Sequence, residues 1–261
     1  MTSVPPAADQ KLNGDVLWDD FDPGVYISHN YLEMQAVDEE ILSHVRDHFS
    51  DHFRGRGRVA SGIDVGAGPN LYPALAMLPW CDRITLLERS ARNLDYLRGQ
   101  CPDYAPHWDQ FWNVLCKDEA YATLNMTPRV RFKEAVQQPE AGSLFDLCAD
   151  KRRWDLGTMF FVAESITTSL AEFRRGVGCF MNALNSGAPF AAAFMEHSEG
   201  YRVGSHEFPA RDIDEAEVRA VLGGYADHVE IHRTANPKQL VRDGYTGMIL
   251  ACGQRKERRD E

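Results

Sequence analysis

The stretch "SGIDVGAGPNLYPAL", residues 61 to 75, carries an apolar segment into two glycines one position apart, then a proline, then a second apolar run. Gly66 and Gly68 can take positive φ and present backbone amides with no Cβ in the way, which suits a tight turn between a buried strand and a helix. The chain as a whole repeats that pairing of strand and helix. "ASGIDV" (60–65), "RITLLE" (83–88), "WDLGTMFFVAE" (154–164) and "APFAAAFME" (188–196) are apolar nearly throughout, as strands of a sheet covered on both faces must be. Helical periods at about 72–78, 91–98, 169–185 and 214–222 separate them, so the spacing predicts a doubly wound α/β fold with a mostly parallel, Rossmann-like sheet. At the end, "HVEIHRT" (228–234) and "GMILACGQ" (247–254) have no helix between them and predict an antiparallel hairpin at the sheet edge.

In such folds ligands sit beyond the carboxyl ends of the strands, at the first strand–turn–helix. A dinucleotide fingerprint requires a third glycine at position 71, where this chain has Leu71 after Pro69. The acid at the end of the second strand is nevertheless in place, since Glu88 can accept two hydrogen bonds from a ribose diol. With Asp64 at the end of the first strand, these parts suit a ligand with a ribose and a zwitterionic tail but no pyrophosphate. S-adenosylmethionine is the expected cofactor.

Bulk properties exclude other classes. A formal charge of −11 repels nucleic acid and anionic membranes, and the Arg/Gly stretch at 53–58 lies beside acids and is expected to be a solvated loop. No apolar run nears ~18 residues and residues 1–10 have no leader pattern, so a cytoplasmic protein is expected. The six cysteines include no C-x-x-C pair, from which reduced thiols are expected. Residues 1–14 and the charged tail 255–261 are expected to be loosely ordered, with a single domain at 15–254. An amphipathic helix is expected over 31–49. The aromatic-rich 101–133 is expected to be a helical insertion, running into a short strand near "RVRFKE".

The runs "FDPGVYISHNYL", "GIDVGAGPNLY", "ITLLERSARN", "FFVAES" and "GYRVGSHEF" resemble, in that order across 18–252, the small-molecule methyltransferases that include phenylethanolamine, nicotinamide and indolethylamine N-methyltransferases. The F-x-P-x-x-Y-x-x-x-x-Y pattern is the more specific half of the likeness. The resemblance implies a class I methyltransferase fold with residues 15–50 as an N-terminal lid. It implies that Tyr26, Tyr31 and Tyr72 hold the methionine end of the cofactor over Gly66 and Gly68, with Glu88 at the ribose and Asn93 near the adenine. It further implies that Phe161 and Val162 stand beside the transferred methyl, and that Glu164 faces an acceptor lying against Tyr201, with Glu196 or Glu199 nearby.

The chain departs from that pattern at Trp18, where relatives carry tyrosine, and at Glu134, Ala135 or Val136, where an Asp-Val pair usually meets the adenine. The expected activity is methyl transfer to the nitrogen of a small amine, by a monomer or weak homodimer. The alternatives are transfer to oxygen, sulfur or carbon of a small natural-product intermediate, or cofactor binding without catalysis. His197 and His206 are further candidates for a general base. His44, His48 and His52 share one helix face without a carboxylate at metal-ligand spacing, so no metal is expected.

Overall fold

The computed structural model describes residues 10–136, 138–234 and 244–257. Its framework is a seven-stranded sheet in the order β3-β2-β1-β4-β5-β9-β8. The strands are β1 (Val59–Val65), β2 (Cys81–Glu88), β3 (Glu140–Ala141), β4 (Leu156–Phe160), β5 (Pro189–Glu196), β8 (Ala226–Thr234) and β9 (Gly247–Arg255). The first five pair in parallel, whereas β9 runs antiparallel to both β5 and β8. The doubly wound sheet and its terminal antiparallel hairpin are therefore as the alternation predicts. A separate two-stranded hairpin, β6 (Tyr201–Val203) with β7 (His206–Phe208), turns at Gly204, whose φ is 60°.

Nine α-helices occupy the described residues: α1 (Pro23–Asn30), α2 (Ala36–Phe53), α3 (Tyr72–Met77), α4 (Ala91–Gln100), α5 (Asp109–Leu115), α6 (Glu119–Ala122), α7 (Pro128–Ala135), α8 (Leu170–Asn182) and α9 (Glu215–Leu222). Every residue of β5 is buried. Its alternate side chains feed different cores: Ala191, Ala193 and Met195 pack with α2, α3 and α5, whereas Phe190, Ala192 and Phe194 pack with α8 and α9. Burial on both faces explains why these strands read as unbroken apolar runs.

Two local expectations are corrected. Residues 31–35 precede the first long helix, which is α2; Leu32 is 51% exposed rather than inward. Ahead of it α1 starts where the Asp22 carboxylate accepts from the Val25 amide at 3.0 Å and Pro23 occupies the first helical position. The strand expected near "RVRFKE" is α7, capped by Thr127 and opened by Pro128. Within it Arg131 is buried, donating to the carbonyls of Leu78 and Cys81, while Val130 is exposed.

The expectation of reduced thiols is also corrected, for Cys148 and Cys179 form a disulfide. The first ends a 3-10 turn (Leu144–Cys148) and the second lies in α8, against which that turn packs. Cys81, Cys101, Cys116 and Cys252 remain free.

At the sheet centre Asp64 of β1 is 1% exposed, and its Oδ1 accepts the Thr158 hydroxyl of β4 at 2.7 Å. Its Oδ2 has no hydrogen-bond partner. Burial pushes the carboxyl from 3.8 up to about 8; the Thr158 bond lowers it and the neighbouring Glu88 charge raises it. The folded chain thus holds this proton more tightly than the unfolded chain does. The associated stability is fully present below about pH 4 and is lost as pH rises toward about 8, by on the order of a few kcal/mol. Asp64→Asn should flatten that stretch of the stability profile. Urea midpoints measured for both proteins across this range check it, and an equally steep decline in the variant refutes it.

Candidate functional site

Above the carboxyl ends of β1, β2 and β4 lies a cavity of about 750 Å³, open mouth included. The loop after β1 forms its floor, where Gly66 and Gly68 take φ of 65° and 55°. Gly66 could not be another residue. A Cβ there would stand 2.7 Å from both methyls of Val162, in a backbone region that side chains rarely adopt.

Glu88 holds this floor in place. Its Oε2 accepts the Gly68 amide at 2.8 Å and its Oε1 accepts the Ser90 amide at 2.7 Å, so one carboxylate joins the glycine loop to the turn that starts α4. The group is 7% exposed and lines the cavity. Burial pushes its pKa up against the lowering effect of those amides. Beside it Asn93 is 5% exposed, and its Oδ1 has no hydrogen-bond partner. A carboxylate with lone pairs to spare next to an unsatisfied amide oxygen suits a ligand that presents several donors, such as a sugar diol with an amino-substituted ring.

The far wall comes from the end of β4. Phe161 is a non-glycine residue at φ 59°, its amide held by the Ala193 carbonyl at 2.7 Å. This turn ends β4 at Phe160 and sets Phe161 and Val162 along the cavity. Ser165, also in the lining, donates its hydroxyl to Glu164 Oε1 at 3.1 Å, and the Met195 amide donates to the same oxygen at 3.0 Å. Glu164 is fully buried behind that wall.

The roof is aromatic and built from two distant segments. Trp18 stacks on Phe208 with centroids 5.6 Å apart, and Tyr201 stacks on the same ring at 5.3 Å. Phe21 meets both Tyr26 and Phe208. These contacts seat the N-terminal segment on the β6–β7 hairpin. The segment is tied to α4 as well, since Asp19 accepts the Ala91 amide at 2.7 Å and Asp22 pairs with Arg92 at 2.7 Å.

Of the residues singled out in the sequence, Trp18, Tyr26, Tyr31, Gly66, Gly68, Glu88, Asn93, Phe161, Val162 and Tyr201 line this one cavity. Others stand elsewhere. Asp64 lies beneath the floor. Tyr72 is fully buried behind the loop, its hydroxyl donating to Asp38 of α2 at 3.2 Å and its ring stacked on Phe111. Glu199 is exposed and packs against Gly244. Glu196 accepts Arg233 Nε at 2.8 Å and the Thr246 hydroxyl at 2.6 Å. Burial acts to raise its pKa, but these partners prevail and hold it below the ordinary carboxylate value. His197 pairs with Asp212, and His206 lies 3.9 Å from Asp20. Glu134, Ala135 and Val136 fall at the end of α7 and are not among the lining residues, whereas Gly142 and Ser143 are.

Asn13 and Ser165 are lining residues that the sequence did not disclose. Nothing local marks Asn13, whose partners lie far along the chain; for Ser165 the signal was present, directly after the "FFVAE" strand end. Among the described residues no group of three or more His, Cys, Asp or Glu is arranged to hold a metal, and no helix is long and apolar enough to cross a membrane.

The sequence matches the NNMT/PNMT/TEMT family over residues 10–256, and the chain belongs to that family. Among curated proteins none matches it. Solved structures similar to it include the N-methyltransferase NodS from Bradyrhizobium japonicum WM9 in complex with S-adenosyl-L-homocysteine, at 13% identity and a TM-score of 0.50 over 87% of this chain and 91% of that one. A S-adenosylmethionine-dependent methyltransferase from Clostridium acetobutylicum ATCC 824 is similar at 12% identity and a TM-score of 0.52, over 85% of this chain and 94% of that one. The Burkholderia thailandensis 1,6-didemethyltoxoflavin-N1-methyltransferase is similar at 16% and 0.51, over 90% and 87%. At these identities the likeness is one of fold.

Replacing Gly66 by Ala should collapse the cavity floor against Val162 and abolish ligand binding while leaving the distant sheet intact. Calorimetry with S-adenosylhomocysteine, alongside circular dichroism, checks this; binding at undiminished affinity would contradict the assigned role of the loop.

Proposed function

We propose that this chain, a S-adenosylmethionine-dependent methyltransferase, transfers the methyl group to the nitrogen of a small amine carried on a ring or apolar body. The observation that carries this reading is the charge pattern of the cavity. Arg89 is the sole cation among its described lining residues and stands beside Glu88, while the remaining walls near the roof are Trp18, Phe21, Tyr26, Phe161 and Tyr201, with Asn13 and Ser165 as polar groups. Aromatic faces attract an ammonium group or its apolar body. A phenolate would meet no positive partner there. Glu196 and Glu199 contribute nothing to this argument, one being engaged by Arg233 and the other exposed.

The cavity residues fit the cofactor. Glu88 would take the ribose hydroxyls, Asn93 Oδ1 a donor on the adenine side, and the amides of the glycine loop the methionine end. Tyr26 and Tyr31 would close on that end, and residues 15–50 would act as the lid. S-adenosylmethionine supplies an already activated methyl on its sulfonium, so the protein's share of the work is alignment, exclusion of water and acceptance of a proton. Phe161 and Val162 orient the acceptor. The Ser165 hydroxyl, backed by the Glu164 carboxylate, can take the amine proton at Oγ while passing its own to Glu164, which makes Glu164 a positioning residue for Ser165.

Incubation with S-adenosylmethionine and a panel of primary amines, phenols and thiols, with the new methyl located by NMR, tests the acceptor; methyl on oxygen, sulfur or carbon overturns the amine reading alone. Glu88→Ala should weaken cofactor affinity by about 1.5–3 kcal/mol, roughly 10- to 100-fold in Kd by calorimetry. An unchanged Kd removes the ribose assignment.

A further inference from the structure

Asn13 is 4% exposed although it lies among the first described residues of the chain. Its backbone amide donates to Glu172 Oε2 of α8 at 2.9 Å. Its neighbour Lys11 exchanges two bonds of 2.9 Å with Thr168, amide to hydroxyl and carbonyl to amide. Residues 11–13 are thereby fixed to the segment that leads into α8 and to its first turn. From this fixed point the Asn13 carboxamide reaches in two directions. Its Oδ1 accepts the Trp18 indole Nε1–H at 3.0 Å, supported by its own backbone carbonyl at 3.3 Å, and its Nδ2 donates to the Ser143 hydroxyl at 3.4 Å. Asn13, Trp18 and Ser143 all line the cavity.

An indole has a single donor and no acceptor, so its ring is oriented by whichever oxygen takes that proton. Stacking on Phe208 leaves the ring free to slide and turn in its plane. The bond to Asn13 removes that freedom. Ser143 stands at the opposite margin, after β3 and at the head of the 3-10 turn, so one carboxamide joins roof to wall.

We infer that Asn13 is a positioning residue, which sets the Trp18 ring over the cavity and couples closure of the roof to the wall at Ser143. The role is not that of a general structural residue. Its loss frees one ring and one margin of the cavity while both hydrophobic cores stay whole. The inference rests on the cofactor reading only where affinity is measured, so the test has an arm that does not.

In the ligand-free protein the indole Nε1–H of Trp18, assigned by its disappearance in Trp18→Phe, should exchange slowly with solvent. In Asn13→Ala, which keeps only the longer bond to the backbone carbonyl, it should exchange several-fold faster, with the melting temperature nearly unchanged. Asn13→Asp keeps the Oδ1 acceptor, and should restore the protection, its second oxygen being able to accept from the Ser143 hydroxyl in place of the lost N–H donor. For S-adenosylhomocysteine, Asn13→Ala should weaken affinity by roughly 2- to 10-fold, the range for one hydrogen bond. Most of that loss should vanish in the Trp18→Phe background. Unchanged indole exchange in Asn13→Ala, or an equal loss of affinity in both backgrounds, overturns the inference. Failure of the unmodified protein to bind S-adenosylhomocysteine overturns the cofactor reading instead, and the exchange arm still decides the role of Asn13.

Discussion

The site depends on one carboxylate bridging two turns. Glu88 ends β2, yet its two oxygens are taken by the Gly68 amide of one loop and the Ser90 amide of the next. The glycine loop has little of its own to keep it in place, since glycines give no side-chain packing and two of its φ angles are positive. An ionised oxygen accepting an amide on each side supplies the missing constraint. The arrangement carries a cost, because burial opposes the charge on Glu88, while burial above all, with a smaller contribution from the Glu88 charge, pushes the Asp64 carboxyl up. Two acids near each other at the sheet's carboxyl edge therefore settle into different roles, one structural and neutral, one charged and facing the cavity.

A second dependence links the ends of the chain's order. The N-terminal segment has no large core of its own, and its apolar residues Val16 and Phe21 are buried in a small cluster with Val203 and Phe208 of the β6–β7 hairpin. The roof exists as a contact between two elements, held to the framework by polar bonds to α4 and α8. Such a contact can open without disturbing the framework, which is what a site enclosing its reactants requires.

Much of this architecture was legible in the sequence, and the reason is burial. β1, β2, β4, β5 and β9 are covered on both faces, and their apolar runs leave one interpretation. The glycine loop and Glu88 were legible for a different reason, since a turn of that tightness followed by an acid one strand later has few uses. What the sequence hid was decided by partners far away. Arg131 looked like the polar half of a strand because the carbonyls it satisfies belong to residues some fifty positions earlier. Glu196 looked available until Arg233 crossed from β8 to bind it. Tyr72 and Tyr31 were equivalent by pattern, but the buried Asp38 engages the hydroxyl of Tyr72, and Tyr31 lines the cavity. The Cys148–Cys179 bond had no signature in spacing at all, because it follows from the packing of a short turn on α8.

The position of β9 bears on how the chain comes to be folded. β5 is buried along its whole length, and one of its edges is completed only by β9; β8 joins the sheet only through the same strand. During synthesis the ribosome therefore releases β5 well before the strand that completes its edge, with α9 and β8 made in between. Until β9 arrives, the nascent chain exposes an apolar edge of eight residues, "PFAAAFME", that any other extended segment can pair with. Placement of that last strand, and not assembly of the glycine loop, is the step at which protection by a chaperone would matter most.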